Sequence, residues 1–232
     1  MNGSEFPLLL LHGALGYRRQ FEPLMQTLNN TKIYAPDLCG HGENASRETR
    51  FNLQVFADDV IAFLDQNGIR KANVFGHSMG GYIGLYLCLQ HPGRIAKVFT
   101  LGTKISWSKK AATREAGMLD AEKLEAKVPA FVEELKKRHA GADWKQLLEK
   151  TRKMMFELGE TDPLNAKSLA EITHKVRLGI GDRDTTAVVE DTVAAYRCLQ
   201  NGQLEIFPST PHPFERVSLV KLKSSMEEFF RD

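Results

Sequence analysis

The chain alternates short apolar runs with longer stretches of helical spacing, and that alternation is the strongest constraint on what it can fold into. Residues 7–11, 32–35, 72–75, 95–101, 176–180 and 203–207 read as strands: each is bounded by turn residues and too short for a core helix. Between them, residues 17–28, 52–66, 79–90, 186–199 and 213–230 carry apolar positions at helical intervals. Strands that alternate with helices across short turns must run parallel, joined by crossover helices. The spacing therefore predicts an α/β protein, a doubly wound sheet of six parallel strands with helices on both faces. Residues 79–90 are apolar nearly all round, so this helix is expected to be buried and to stop before Pro92.

One stretch breaks the alternation. Residues 104–173 show only helical patterns, over 108–119, 121–139, 143–158 and 163–172. Asp143 is an expected N-cap, and Pro163 suits a first helical position. The segment reads as a helical insertion in a core made of residues 1–103 and 174–232. It also holds the charge asymmetry: residues 104–155 contain 13 Lys and Arg against 8 Asp and Glu, in a chain whose net charge is +2.

That small net charge gives no ground for nucleic-acid binding. The first five residues lack the basic start and apolar stretch of a secretory leader, and residues 8–11 are far too short to span a bilayer. Three scattered cysteines, Cys39, Cys88 and Cys198, read as reduced thiols. A cytoplasmic protein that contacts neither membrane nor nucleic acid is expected. No His, Cys, Asp or Glu cluster has metal spacing, and no phosphate-binding loop ending in Lys is present, so neither metal nor cofactor is expected. Oligomeric state stays open; the sheet edge expected at residues 32–35 is a candidate pairing surface.

The chemistry concentrates in Gly76-His77-Ser78-Met79-Gly80-Gly81, which follows a predicted strand and opens a predicted helix. A serine hydroxyl is a weak nucleophile until it is aimed and deprotonated. A sharp strand-to-helix turn aims it, small neighbours leave the turn room, and the helix start offers free N–H groups to developing negative charge. The plain alternative is a glycine-lined turn whose serine only caps the helix.

Four further motifs follow in order: Leu8-Leu9-Leu10-Leu11-His12-Gly13-Ala14-Leu15-Gly16, Asp37-Leu38-Cys39-Gly40-His41-Gly42, Gly181-Asp182-Arg183-Asp184, and His212 between the last strand and last helix. Together with the serine turn they resemble the α/β-hydrolase superfamily over nearly the whole chain. The resemblance implies a nucleophile elbow at Ser78 and a triad in the order Ser78, Asp184, His212. It implies an oxyanion hole from the backbone N–H groups of Ala14 and Met79, and a cap formed by residues 104–173. Asp182, two residues before Asp184, is the alternative acid. His212 lies between Pro211 and Pro213 where the family commonly has a preceding glycine. Only six residues precede Pro7, so the two antiparallel strands that usually open this fold are expected to be missing.

The other six histidines read as structural. Of the cap's apolar residues (Trp107, Met118, Phe131, Trp144, Met154, Met155 and Phe156) two or three are expected to touch ligand, because such stripes mostly pack. The basic excess of the cap reads as a solvated helix face, or as steering for an anionic substrate. The leading expectation is a serine hydrolase that cleaves a small ester or related acyl substrate through an acyl-enzyme. The same triad also suits thioester or carbon–carbon bond hydrolysis or a lyase reaction, and the fold alone suits a ligand-binding receptor.

Overall fold

A computed structural model describes residues 5–28, 32–46 and 50–231; residues 1–4, part of the stretch compared above with a secretory leader, lie outside them. In chain order the elements are β1 (Leu8–Leu11), α1 (Glu22–Met25), β2 (Ile33–Tyr34), α2 (Leu53–Gln66), β3 (Ala72–His77), α3 (Met79–Gln90) and β4 (Ile95–Leu101). Five helices follow: α4 (Lys109–Met118), α5 (Ala121–Lys127), α6 (Pro129–Arg138), α7 (Trp144–Thr161) and α8 (Ala166–Glu171). The chain then returns through β5 (Lys175–Gly181), α9 (Val189–Cys198), β6 (Asn201–Phe207) and α10 (Leu219–Phe230).

The six strands form one sheet in the order β2-β1-β3-β4-β5-β6, and every pairing is parallel. Strand pleating sends alternate side chains to opposite faces. Leu9 and Leu11 of β1 and Val74 of β3 join one apolar layer with residues of α2, α3 and α9. Leu8, Leu10 and Phe75 join the other with residues of α1 and α10. Both faces are thus buried, as an all-parallel sheet requires. Among the described residues no helix is long and apolar enough to cross a membrane.

Several predicted helices are shorter or divided, each for a local reason. The helix expected over residues 17–28 is a 3₁₀ turn (Arg18–Phe21) followed by the single turn of α1. Pro23 has no N–H to donate and its ring would meet the carbonyl four residues back, so it fits only near a new helix start. The helix expected over 121–139 is broken at Val128, whose extended φ of −138° suits a residue before proline. Pro163 is not the first residue of α8: Asn165 caps that helix, its Oδ1 accepting from Lys167 N and Ser168 N. The helix expected from residue 186 starts at Val189, because the Thr186 and Ala187 N–H groups are turned onto Asp184 Oδ1. Pro213 precedes a 3₁₀ turn (Phe214–Arg216), and α10 starts only after Ser218. Asp143 does cap α7, accepting from Lys145 N.

Arg177 of β5 latches α10 onto the sheet. Its side chain is buried, and its guanidinium donates to Gln203 Oε1, Glu205 Oε2, Glu228 Oε1 and both oxygens of Ser225 at 2.7–3.2 Å. The same group lies over the rings of Phe99 and Phe229.

The loops at the carboxyl ends of β1 and β2 are stapled by three buried histidines. His12 Nδ1 donates to Gly13 O at 2.8 Å, and its Nε2 accepts from Leu38 N at 3.0 Å. His139, between α6 and α7, accepts from Gly42 N at 2.9 Å and donates to Leu15 O at 3.0 Å. His41 donates to Cys39 O and stacks on Phe51, while its Nε2 is buried without a partner. Every nitrogen that accepts a bond here must be unprotonated, so the cluster is assembled from neutral imidazoles. Burial is the main cause that pushes His12 down to about 4, His41 well below its ordinary value, and His139 down as well.

Two outcomes follow from this packing. Arg177→Ala should lower stability by about 2 kcal/mol, because it removes the donor of the buried Ser225 hydroxyl and the packing on Phe99 and Phe229, whereas Arg177→Met should recover part of the loss by packing on the same rings. Urea midpoints at constant m-value measure both. For the histidines the unfolded chain binds protons first, so their contribution is complete above about pH 6.5 and is lost as pH falls toward 4. Urea midpoints should fall across that window, by up to roughly 1.4 kcal/mol per pH unit for each buried imidazole, and His41→Phe should flatten the fall between pH 5 and 6.5. An unchanged profile in that variant would remove His41 from the account.

Candidate active site

The turn between β3 and α3 carries Ser78 at φ 52° and ψ −119°, a backbone conformation that side-chain-bearing residues rarely adopt. Such strain costs on the order of 1–3 kcal/mol and persists only where neighbours over-determine it. Here Ser78 N donates to Leu101 O at 2.9 Å, and Ser78 O accepts from Gly81 N, Tyr82 N and Thr103 Oγ1. A Cβ on Gly76 would collide with the backbone of Gly80 and Gly81, and one on Gly80 would collide with Leu11 O. Glycine at both positions lets the helix start close against the strands.

His212 lies on the loop after β6. Its Nδ1 is 2.7 Å from Asp184 Oδ2, and its Nε2 is 3.2 Å from Ser78 Oγ. A carboxylate only accepts, so Nδ1 carries the proton and Nε2 is left to accept from the serine hydroxyl. Asp184, just past β5, is almost fully buried, and its other oxygen takes the N–H groups of Thr186 and Ala187 at 2.8 and 2.9 Å. Three hydrogen bonds across its two oxygens fix its orientation.

The two carboxylates of the Gly181–Asp184 turn are distinguished by what they touch. Asp182 accepts from Thr210 N at 3.2 Å and so braces the loop that carries His212, while Asp184 meets the imidazole itself. His77, next to the serine, donates from Nε2 to the backbone oxygen of His212 at 3.0 Å. Burial, helped by the neighbouring His212, holds His77 down to about 3, so it is a neutral donor at ordinary pH.

Ala14 and Met79 flank Ser78 along the wall of one cavity of about 60 Å³. Met79 is the first residue of α3, so its N–H has no acceptor inside the helix. Gly13 packs directly on the Ser78 side chain and brings the loop of Ala14 against it. Of the seven apolar insertion residues, Trp107, Met154 and Met155 line the cavity. Trp144 is buried in the packed layer instead, and Met118, Phe131 and Phe156 are exposed. Sequence reading missed Tyr82, Lys104, Glu115 and Thr186, which also line it. No periodic or spaced pattern marks them; they are brought in by tertiary packing. Among the described residues no group of three or more His, Cys, Asp or Glu is placed to hold a metal ion.

Residues 7–187 match the family model described as alpha/beta hydrolase fold. Ethanol acetyltransferase 1 of Kluyveromyces lactis is 30% identical over 92 residues, which are 38% of this chain and 25% of that protein. The 2-hydroxymuconate semialdehyde hydrolase of a Pseudomonas species is 27% identical over 107 residues, 44% of this chain and 38% of that protein. The matched segments thus span only about a quarter to two fifths of those relatives. Among solved structures, the enol-lactonase from Burkholderia xenovorans superposes with a TM-score of 0.78 over 98% of this chain and 92% of its own, at 16% identity. The matched model covers well over half of the residues and agrees with the all-parallel sheet, and the chain belongs to the α/β-hydrolase fold family.

Proposed function

We propose that this protein is a serine hydrolase that cleaves a small ester or related acyl compound through an acyl-enzyme on Ser78. The observation that carries the reading is the continuous chain Asp184–His212–Ser78, ending on a serine held in a strained turn at a helix start. His212 Nε2 takes the hydroxyl proton as Ser78 Oγ attacks the substrate carbonyl. Asp184 holds the Nδ1–H tautomer and stabilises the imidazolium that forms. The N–H groups of Ala14 and Met79 receive the negative charge that develops on the carbonyl oxygen, each worth about 3 kcal/mol in the transition state. His212 then gives its proton to the leaving group, and water, deprotonated by the same imidazole, releases the acid.

In this reading residues 104–173 act as a cap on the core of residues 1–103 and 174–232. The cap supplies Lys104, Trp107, Glu115, Met154, Met155 and Leu158 to the cavity, which supports a role in excluding water and shaping the acyl site. A second reading is acyl transfer to an alcohol. Similarity to an ethanol acetyltransferase and the apolar lining beside Ser78 favour it, since both reactions share the acyl-enzyme.

Incubation with a fluorophosphonate, followed by intact-mass measurement and peptide mapping, should give one adduct on Ser78 that His212→Ala abolishes. Absence of an adduct on folded protein would overturn the acyl-enzyme. Ser78→Ala should lower kcat by more than about a thousandfold without loss of fold. Asp184→Asn should be far more damaging than Asp182→Asn; the reverse order would reassign the acid. Ethanol added during turnover of an activated ester separates the two readings: an ethyl ester among the products marks transfer, and free acid alone marks hydrolysis.

A further inference from the structure

The cavity beside Ser78 is walled mainly by apolar side chains, and Lys104 and Glu115 stand among the residues that line it. Lys104 is anchored next to the reacting centre, because the hydroxyl of its neighbour Thr103 donates to Ser78 O at 2.9 Å. The Lys104 side chain is 91% buried, with 9% of its surface exposed. Its Nζ stands over the Trp107 ring, 5.6 Å from the centroid, and that ring is fixed by its own Nε1–H bond to Lys104 O at 3.1 Å.

Glu115 only partly answers this ammonium. The Nζ–Oε1 separation is 4.0 Å, beyond hydrogen-bond reach, and that oxygen already accepts two guanidinium bonds from Arg114 at 3.0 and 2.6 Å. Two cations share one carboxylate. Arg114 is largely exposed, so solvent screens it, but Lys104 faces the cavity. The Lys104 side chain is mostly enclosed and its ammonium has no hydrogen-bond acceptor among the described residues, so an anionic acceptor entering the cavity would gain a charged hydrogen bond.

We propose that Lys104 is a specificity-determining residue that recognises a carboxylate on the substrate, so that the preferred substrates are esters of short acyl chains ending in a carboxylate. The cavity of about 60 Å³ sets the short length. This deepens the serine-hydrolase reading and rests on it.

Monomethyl glutarate and methyl valerate make a matched pair, with a carboxylate replacing the terminal methyl. Calorimetric binding to Ser78→Ala protein tests recognition without turnover. The half-ester should bind at least about tenfold more tightly, the scale of one charged hydrogen bond. In turnover by the unmodified protein, kcat/KM should favour it by a similar factor, expressed mainly in KM. Lys104→Gln or Lys104→Met should bring both ratios to within about threefold. Equal binding of the two esters to Ser78→Ala protein overturns the proposal and needs no lysine variant, and so does a preference that survives removal of Lys104. Fluorophosphonate labelling separates this from the reading beneath it. Labelled Ser78 with no half-ester preference sinks the Lys104 assignment alone. Unlabelled Ser78 with a lysine-dependent preference sinks the acyl-enzyme and keeps the carboxylate site.

Discussion

The arrangement of this site depends on how closely α3 approaches the sheet. With no Cβ at Gly76 or Gly80, the first turn of the helix settles against the backbone of β1 and β3, and a methyl group at either place would meet main-chain atoms that cannot move aside. That contact forces the connecting residue into a left-handed conformation and lifts Ser78 above the strand ends. The strands on either side then complete the setting. Leu101 at the end of β4 holds the Ser78 N–H, and the loop after β1 brings Gly13 and Ala14 alongside. Because the six strands are parallel, the loops after β1, β3, β5 and β6 all open at one edge of the sheet. Ala14, Ser78, Asp184 and His212 are drawn together by that topology and not by nearness in sequence.

Histidine is used here in two opposite ways. His12, His41, His77 and His139 are buried beside carbonyls, amides and aromatic rings, and burial keeps each imidazole neutral so that it can join backbone segments. Among the described residues His212 is the one histidine hydrogen-bonded to a carboxylate, and its side chain keeps partial access to solvent. Its Nδ1 bonds Asp184 Oδ2, which leaves Nε2 turned to the Ser78 hydroxyl, whereas the buried histidines spend their ring nitrogens on backbone groups. The two uses meet at His77, a neutral donor that grips the His212 backbone and so steadies the loop that must present Nε2 to the serine.

The parts of this picture that were legible in sequence are those set by short-range rules. A strand–turn–helix with glycines around Ser78 defines its own geometry, and the strand and helix alternation fixed the sheet, with β4 and α3 read at their observed bounds. What stayed hidden depended on direction or distance. Asp182 and Asp184 are chemically alike and two residues apart. They differ because Asp182 N still pairs with Phe207 O beside β6 while Asp184 lies beyond the last rung. His139 looked like an ordinary helix end, yet it bonds residues 97 and 124 positions away. Helix breaks at Pro23 and Val128 were written in the sequence as prolines, but apolar periodicity ran across them and masked the stop.

The charge of the insertion shows why composition alone misleads about recognition. Its basic excess sits largely on exposed faces, where Lys109, Lys153 and Arg114 are bathed by solvent and paired with surface carboxylates or with Glu115. At a separation of 4 Å, a unit charge pair is worth about 1 kcal/mol in bulk water and about 4 kcal/mol near a protein surface, and salt erodes the exposed pairs first. Lys104 contributes one charge to that excess, no more than any of its neighbours. Its difference lies in where the fold puts it: over the Trp107 ring, mostly shielded from solvent, on the wall of the cavity that Ser78 also lines. Removing water from around one ammonium changes its influence on a ligand more than adding several others to the surface. On the proposal made for Lys104, the discriminating property of the insertion is the burial of a single side chain, which no count of charges along the sequence contains.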